Sequence, residues 1–336
     1  MTSAAVSTTG HSEAAAPSTA VFEPLAASML ERIACYYCGE TSSTAFITAQ
    51  DDLTGKPGTF CFVTCAACGL RYQNPRVTLE HIRAYYDDEY IAHRKKSDWG
   101  LLTGFFNHVM EQHDRRKDRL VRRYVTLTPD SEVLDVGCAV GTFLEFVGKR
   151  HGARTTGVDF KDLTWHPSLA HAEFHCGLFY EQDVGADRFD LVTMWHFLEH
   201  DYDPLRTLAH ARAALKREGR LVIEVPRLDS LTFRLYRDRW PGLQAPQHTV
   251  LYDKAMLLKV LRKAGFEVVD YLPYGAFPPF FYVFAGAAFM MLKGKGLDLS
   301  RAITPYFMGN ILFAPILAFD QHLKLAMQTV VCRRGR

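Results

Sequence analysis

The chain of 336 residues has almost no excess charge of either sign: 39 Lys and Arg against 37 Asp and Glu leave a formal net charge of +2. That balance excludes the strong basic field with which proteins track a nucleic-acid backbone. No basic segment followed by an apolar stretch opens the sequence, and no Arg precedes Arg32. Neither a secretory signal nor an Arg-rich transit segment is therefore expected. MTSAAVSTTGHSEAAAPSTA offers little to bury, so residues 1–30 read as a disordered tail. An unbroken apolar run of membrane-spanning length is lacking too, because the two longest contain Pro or Gly. With 48% hydrophobic residues there is nonetheless ample material for a core. Without an export signal the eight cysteines belong in a reducing, cytoplasmic setting, where paired spacings point to metal rather than disulfides.

Two such pairs are present, CYYCGE and CAACGL, each Cys-x-x-Cys-Gly. A two-residue gap lets both thiolates face one ion, and the Gly permits a tight turn whose amides approach the sulfurs. Cys35, Cys38, Cys65 and Cys68 are thus candidate ligands of one structural Zn2+, closed and four-coordinate. Strand-like AFITA and TFCFVT lie between them, so residues 31–76 read as a small zinc ribbon. A redox role would need a single Cys-x-x-Cys opening a helix in a βαβ unit, and that pattern is absent. Residues 77–128 read as a helical connector, with the basic run RRKDRLVRR on a solvated face.

From residue 129 the pattern alternates strand and helix, which implies a parallel sheet with helices on both faces. VLDVGCAVGTFLEFVGK is a buried strand, a turn at Gly137 and Gly141, and a helix. Such a turn brings backbone close to a ligand at the helix N-terminus. Gly137-x-Ala139-x-Gly141 fails the G-x-G-x-x-G dinucleotide template. The next strand, TTGVDF, ends at Asp159, where a carboxylate can accept both hydroxyls of a ribose. Further strands are expected at HAEFHC, FDLVTMW, GFEVVDYLP and KLAMQTVVCRR, and LKREGRLVIEVP reads as a helix end, a turn at Gly219 and a strand.

LDVGCAVG, GVDF, FDLVTMWHFLEH, the DP of DYDP and LKREGRLVIEVP together resemble the class I S-adenosylmethionine-dependent methyltransferases. The ribbon ending in CGLRYQNPR resembles the leader of a branch in which some members methylate sugars or other small molecules. The resemblance implies a Rossmann-like α/β fold with seven strands, the last antiparallel, and S-adenosylmethionine across the carboxyl ends of the first two. By position, Asp135, Gly137, Ala139 and Gly141 would shape the pocket for its methionine part, and Asp159, with Phe160, would hold the ribose. Leu178 and Phe179 would flank the adenine, and Trp195 and His196 would approach the sulfonium. Core packing is the competing reading for Trp195.

Moving the methyl to a hydroxyl or an acidic carbon needs a base, and His suits neutral pH. APQHTVLY resembles the segment where sugar C-methyltransferases carry a Glu-His pair; here it is Gln247-His248, and His248 is the first candidate base. His196 and His200 are the others, although Glu199 and His200 also read as caps of the following helix.

PPFFYVFAGAAFMML and ITPYFMGNILFAPILAF form an apolar insertion, residues 275–322, between the sixth and seventh strands. In the implied topology it leaves and returns at the ligand-binding edge. It reads as a lid on its own domain, an element lying in the bilayer interface, or a transmembrane hairpin. The expected activity is therefore methyl transfer to a lipid-like or isoprenoid acceptor by residues 129–336, on a cytoplasmic protein peripheral to the inner face of a membrane. A sugar or nucleotide-sugar methyltransferase, an RNA methyltransferase and a non-catalytic ribbon module are the alternatives.

Overall fold

VLDV and LVTMW offer no polar face to water, so their strands must lie where helices cover both sides of a sheet. A computed structural model, which describes residues 25–86, 103–317 and 319–335, shows this arrangement. The ribbon half contains strands β1 (Leu30–Glu31), β2 (Ser43–Ala49), β3 (Phe60–Cys65), β4 (Arg71–Gln73) and β5 (Arg76–Val77), then helices α1 (Leu79–Ile82) and α2 (Thr103–Val121). There follow β6 (Glu132–Val136), α3 (Thr142–His151), β7 (Arg154–Asp159), β8 (Glu173–Cys176), β9 (Phe189–Trp195), α4 (Pro204–Ala214) and β10 (Leu215–Pro226). The chain closes with α5 (Leu231–Tyr236), β11 (Val250–Leu251), α6 (Lys254–Lys263), β12 (Phe266–Leu272), α7 (Phe280–Leu292), α8 (Leu299–Leu317), α9 (Asp320–Leu323) and β13 (Met327–Arg334).

The large sheet has seven strands in the order β12-β13-β10-β9-β6-β7-β8. β13 alone runs against its two neighbours. The order reverses between β6 and β9, so their carboxyl ends open a crevice, the usual ligand position in an open α/β sheet. One expected boundary shifts. LKREG is not a helix end: α4 stops at Ala214 and Leu215 already pairs with Phe189, followed by a bulge before Arg220. Fully buried Leu215 belongs to the core, and a Cβ on Gly219 would strike both its side chain and the Phe189 carbonyl. Nor do Glu199 and His200 cap a helix, since the Asp203 side chain caps α4 by accepting from the Arg206 amide.

The ribbon is not a separate bead. Its sheet runs β11-β4-β3-β2, so the fourth strand comes from Val250–Leu251 of the large domain. Val250 pairs with Tyr72 and Leu251 with Arg71. Fully buried Gln73 donates its side-chain amide to the carbonyls of Pro246, at 3.0 Å, and His248, at 2.7 Å. Its own amide reaches the Thr249 carbonyl at 2.8 Å. The ribbon thereby fixes the backbone of the QHT segment.

The apolar insertion forms the α7–α8 hairpin. α7 lies on α5: the Tyr236 hydroxyl donates to the Val283 carbonyl at 2.8 Å, and a Cβ on Gly286 would meet the Tyr236 ring. α8 lies on α7 with Phe313 stacked on Phe280, 5.5 Å between ring centres. Its outer side presents exposed Met308, Ile311, Leu312 and Ile316, and Met290 and Met291 of α7 are exposed as well. α7, at 13 residues, is about 20 Å long, short of a bilayer core. No helix among the described residues is long and apolar enough to cross a membrane.

Removing the Gln73 side chain strips two buried carbonyls of their donor. Gln73→Ala is expected to cost about 2–4 kcal/mol in urea denaturation, and an unchanged midpoint would show that the clamp carries no stability.

Candidate active site and metal centre

Gly137 and Gly141 both adopt φ of 73°, and Gly141 opens α3, so the turn after β6 is a left-handed bend into a helix N-terminus. Ala139 between them holds φ of 48°, which costs an L-residue roughly 1–2 kcal/mol. What holds the bend is Asp159 at the tip of β7. Its carboxylate accepts the Ala139 amide at 2.9 Å and the Lys161 amide at 3.1 Å. Burial pushes the Asp159 carboxyl up to about 6. Asp135 accepts the Thr193 hydroxyl at 2.6 Å, and burial raises it to about 7. A tight positive-φ bend, a helix N-terminus and an acid on the next strand tip are groups that could hold the amino-acid and ribose parts of an adenosyl ligand.

Around this cradle, Phe160 lies partly exposed at the rim, edge-on to Tyr86 at 5.0 Å. Leu178 is also partly exposed. Phe179 is buried in the core with its ring against His210, 4.7 Å between centres, whereas Leu178 and Phe160 stay partly exposed. Trp195 packs edge-on to Phe143 at 5.6 Å, as core packing anticipates, but its buried indole N–H has no partner among the described residues.

Beyond Trp195 the chain turns sharply at His196, a non-glycine residue with φ of 54°. This bend brings three histidines and two acids together at the strand ends. His196 Nε2 lies 3.3 Å from Glu224 Oε1, and Nδ1 lies 3.7 Å from Glu199 Oε1. Glu224 is fully buried on β10 and accepts the amides of Ala276, at 2.6 Å, and Phe277, at 3.0 Å. Burial pushes its carboxyl up, but His196 and those amides outweigh burial and hold it below the ordinary value. Glu199 is also buried, its oxygens lack a hydrogen-bond partner among the described residues, and burial drives its carboxyl well up.

His248 donates from Nδ1 to the Gly242 carbonyl at 2.8 Å, and its Nε2 lies 4.0 Å from Glu199 Oε1. Burial depresses its pKa to about 3. So buried a ring is a poor proton acceptor, and His196 is the more exposed of the two. His200 stands edge-on to His248, with Nδ1 at 2.7 Å from the Tyr86 hydroxyl and 3.1 Å from the Gln247 carbonyl. Glu224 and Tyr86 were not singled out in the sequence. The signal for Glu224 was there, one charge inside the buried strand LVIEVP; Tyr86 carried none.

At the other site the two knuckles match bond for bond. Cys35 N–H reaches Glu40 O and Gly39 N–H reaches Cys35 O; Cys65 N–H reaches Leu70 O and Gly69 N–H reaches Cys65 O. The knuckles face each other with Cys35 and Cys68 sulfurs 3.6 Å apart and Cys38 and Cys65 sulfurs 3.5 Å apart. Sulfurs bound tetrahedrally to one zinc at about 2.3 Å would lie ~3.8 Å apart. The cluster is compatible with that ion.

Residues 108–271 match the family model of the methyltransferase domain. Over those residues the chain carries a methyltransferase domain. It is similar to the ubiquinone biosynthesis O-methyltransferase of Coxiella burnetii, 36% identical over 115 residues, covering 31% of this chain and 46% of the relative. The enzyme of the same name from Histophilus somni is 30% identical over 133 residues, covering 36% and 55%. The chain thus spans about half the length of the curated relatives it matches. Among solved structures, an S-adenosylmethionine-dependent methyltransferase from Mesorhizobium loti aligns at TM-score 0.46 and 15% identity, covering 65% of this chain and 98% of that one. Phosphoethanolamine N-methyltransferase 2 of Haemonchus contortus aligns at 0.44 and 16%, covering 66% and 53%.

The methyltransferase cradle has a pH signature. Asp135 ionises at about 7 in the fold against an ordinary 3.8, so the native state favours its proton. That contribution is complete below pH 4 and is lost as pH rises through 7. Asp135→Asn, which keeps an acceptor for Thr193, is expected to stabilise the ligand-free chain on the order of 2–3 kcal/mol more at pH 8 than at pH 5. Chemical denaturation at the two pH values measures this.

Proposed function

We propose that the chain is an S-adenosylmethionine-dependent methyltransferase that methylates a hydroxyl of a lipid-like, isoprenoid-bearing acceptor. The bound donor supplies a methyl group already activated on a positive sulfur, so the protein's task is to position and deprotonate. Asp159 takes the ribose hydroxyls, and the bend at 137–141 takes the amino-acid end. His196 accepts the proton of the acceptor hydroxyl. The anionic Glu224 carboxylate, 3.3 Å away, stabilises the charge that the imidazole gains. Zn2+ in the Cys35–Cys38–Cys65–Cys68 cluster is structural and keeps β4 in place to pair with β11.

The observation that carries the acceptor class is the double duty of Glu224. The carboxylate facing His196 also grips the amides of Ala276 and Phe277, where the apolar insertion begins. Phe277 then packs edge-on to His196, 4.8 Å between ring centres. An acceptor reaching His196 passes along a greasy wall. The names of the relatives, which place them in ubiquinone biosynthesis, support the same class. The exposed side of α8 and the lysines of the α7–α8 joint, Lys293 and Lys295, suit peripheral contact with an anionic bilayer.

Incubation with labelled S-adenosylmethionine and a lipid extract, followed by mass spectrometry, is expected to place the label in an apolar product. Label confined to water-soluble sugars overturns the acceptor class, and no transfer to any fraction overturns the enzyme. The triple change Ile311→Asp, Leu312→Asp, Ile316→Asp affects exposed side chains, so stability and donor affinity should hold. Co-flotation with anionic liposomes and kcat/KM for the lipid acceptor should each fall about tenfold or more. His196→Asn is expected to lower kcat by about 10²–10⁴ with donor affinity unchanged; full turnover would remove the base from this position.

A further inference from the structure

We infer that Glu199, His200 and His248 form a binding site for one divalent transition-metal ion, distinct from the cysteine cluster. Each residue brings one donor atom within 4.8 Å of the other two. Glu199 is the reason to look for an ion. Its side chain is 1% exposed, and neither carboxylate oxygen finds a hydrogen-bond donor among the described residues. Buried polar groups in native proteins are almost always paired, and leaving a carboxylate bare is among the costliest exceptions. Protonation would remove the charge and still leave the group unbonded. A cation answers both needs.

The spacing fits. Glu199 Oε1 lies 4.0 Å from His248 Nε2, too far for a hydrogen bond. Two ligands at about 2.1 Å from one ion lie roughly 3.0–3.4 Å apart, which a small rotation of either side chain supplies. The imidazoles carry the outer contacts that metal-bound histidines have. His248 Nδ1–H donates to the Gly242 carbonyl at 2.8 Å, and His200 Nδ1 sits 3.1 Å from the Gln247 carbonyl. Such outer contacts fix the tautomer of a metal-bound imidazole. The Gln247 carbonyl lies in the segment gripped by Gln73, so the ribbon helps to fix this outer shell. Two imidazoles and one carboxylate suit zinc, manganese or iron rather than calcium or magnesium. His196 Nδ1, 3.7 Å from the same Glu199 oxygen, places the ion next to the proposed base. There it would bind the acceptor oxygen and ease loss of its proton. That role rests on the methyltransferase reading, whereas the site itself does not.

The test uses the full chain with its cysteine cluster loaded with zinc, and neither donor nor acceptor present. Titration with Mn2+, a poor thiolate ion, followed by electron paramagnetic resonance, is expected to show one saturable site per chain. Glu199→Gln should weaken it tenfold or more. The variant should also leave the metal-free melting temperature equal or higher, because it removes a buried ionisable group, so lost binding is not lost folding. His248→Asn should weaken the site in the same way while zinc in the cysteine cluster stays at one per chain. Absence of saturable Mn2+ binding, or equal affinity in Glu199→Gln, overturns the site. Methyl transfer that continues undiminished under such a result would leave the enzyme standing and remove only the ion.

Discussion

The sheet edge that gathers His196, His200 and His248 depends on a few hydrogen bonds between parts of the chain that lie far apart in sequence. Gln73 holds the carbonyls of Pro246 and His248, and the short β4–β11 pairing continues the grip through Leu251. A two-residue strand has little stability of its own. It persists because the cysteine knuckles fix β3 and β4, and because Gln73 satisfies buried carbonyls that would otherwise cost desolvation energy. The segment so fixed carries His248 and the Gln247 carbonyl that meets His200. The cysteine knuckles are thus tied to the Gln247–His248 segment through backbone geometry alone.

The parallel sheet was legible because strands buried on both faces leave apolar runs, and because the glycine bend and Asp159 occur at a spacing that few other arrangements share. The cysteine knuckles were legible for a similar reason, since each is a local motif whose Gly performs one backbone task. The pairing of β11 with β4 was not legible. Two residues carry no periodicity, and their partner lies more than a hundred positions away. The length of β10 was misjudged because LKREG has the composition of an exposed helix end, whereas Leu215 is claimed by the core through Phe189.

The histidines show a different limit. Neighbours in the sequence ranked His248 first, but basicity depends on what surrounds a ring in space. Burial leaves His248 a poor base, whereas His196 stands over an anionic carboxylate that joined the site from another strand. Phe179 is a related case: its position matched the family pattern, yet its ring turned into the core toward His210. Side-chain direction at the end of a short strand is set by packing, which the sequence does not state. Ala139 is the reverse, a visible departure from glycine that the fold accepts because Asp159 bonds its amide in the strained conformation.

Glu224 joins these strands of argument. A carboxylate in the middle of a buried sheet is destabilising unless several donors meet it, and here the donors come from two functions at once. The amides of Ala276 and Phe277 set where the apolar hairpin leaves the sheet, and His196 is the group nearest the proposed chemistry. Replacing Glu224 by an apolar residue would free the root of the hairpin and remove the counter-charge of the base together. The hairpin root and the His196 ring cannot then vary independently, because they are coupled through one side chain.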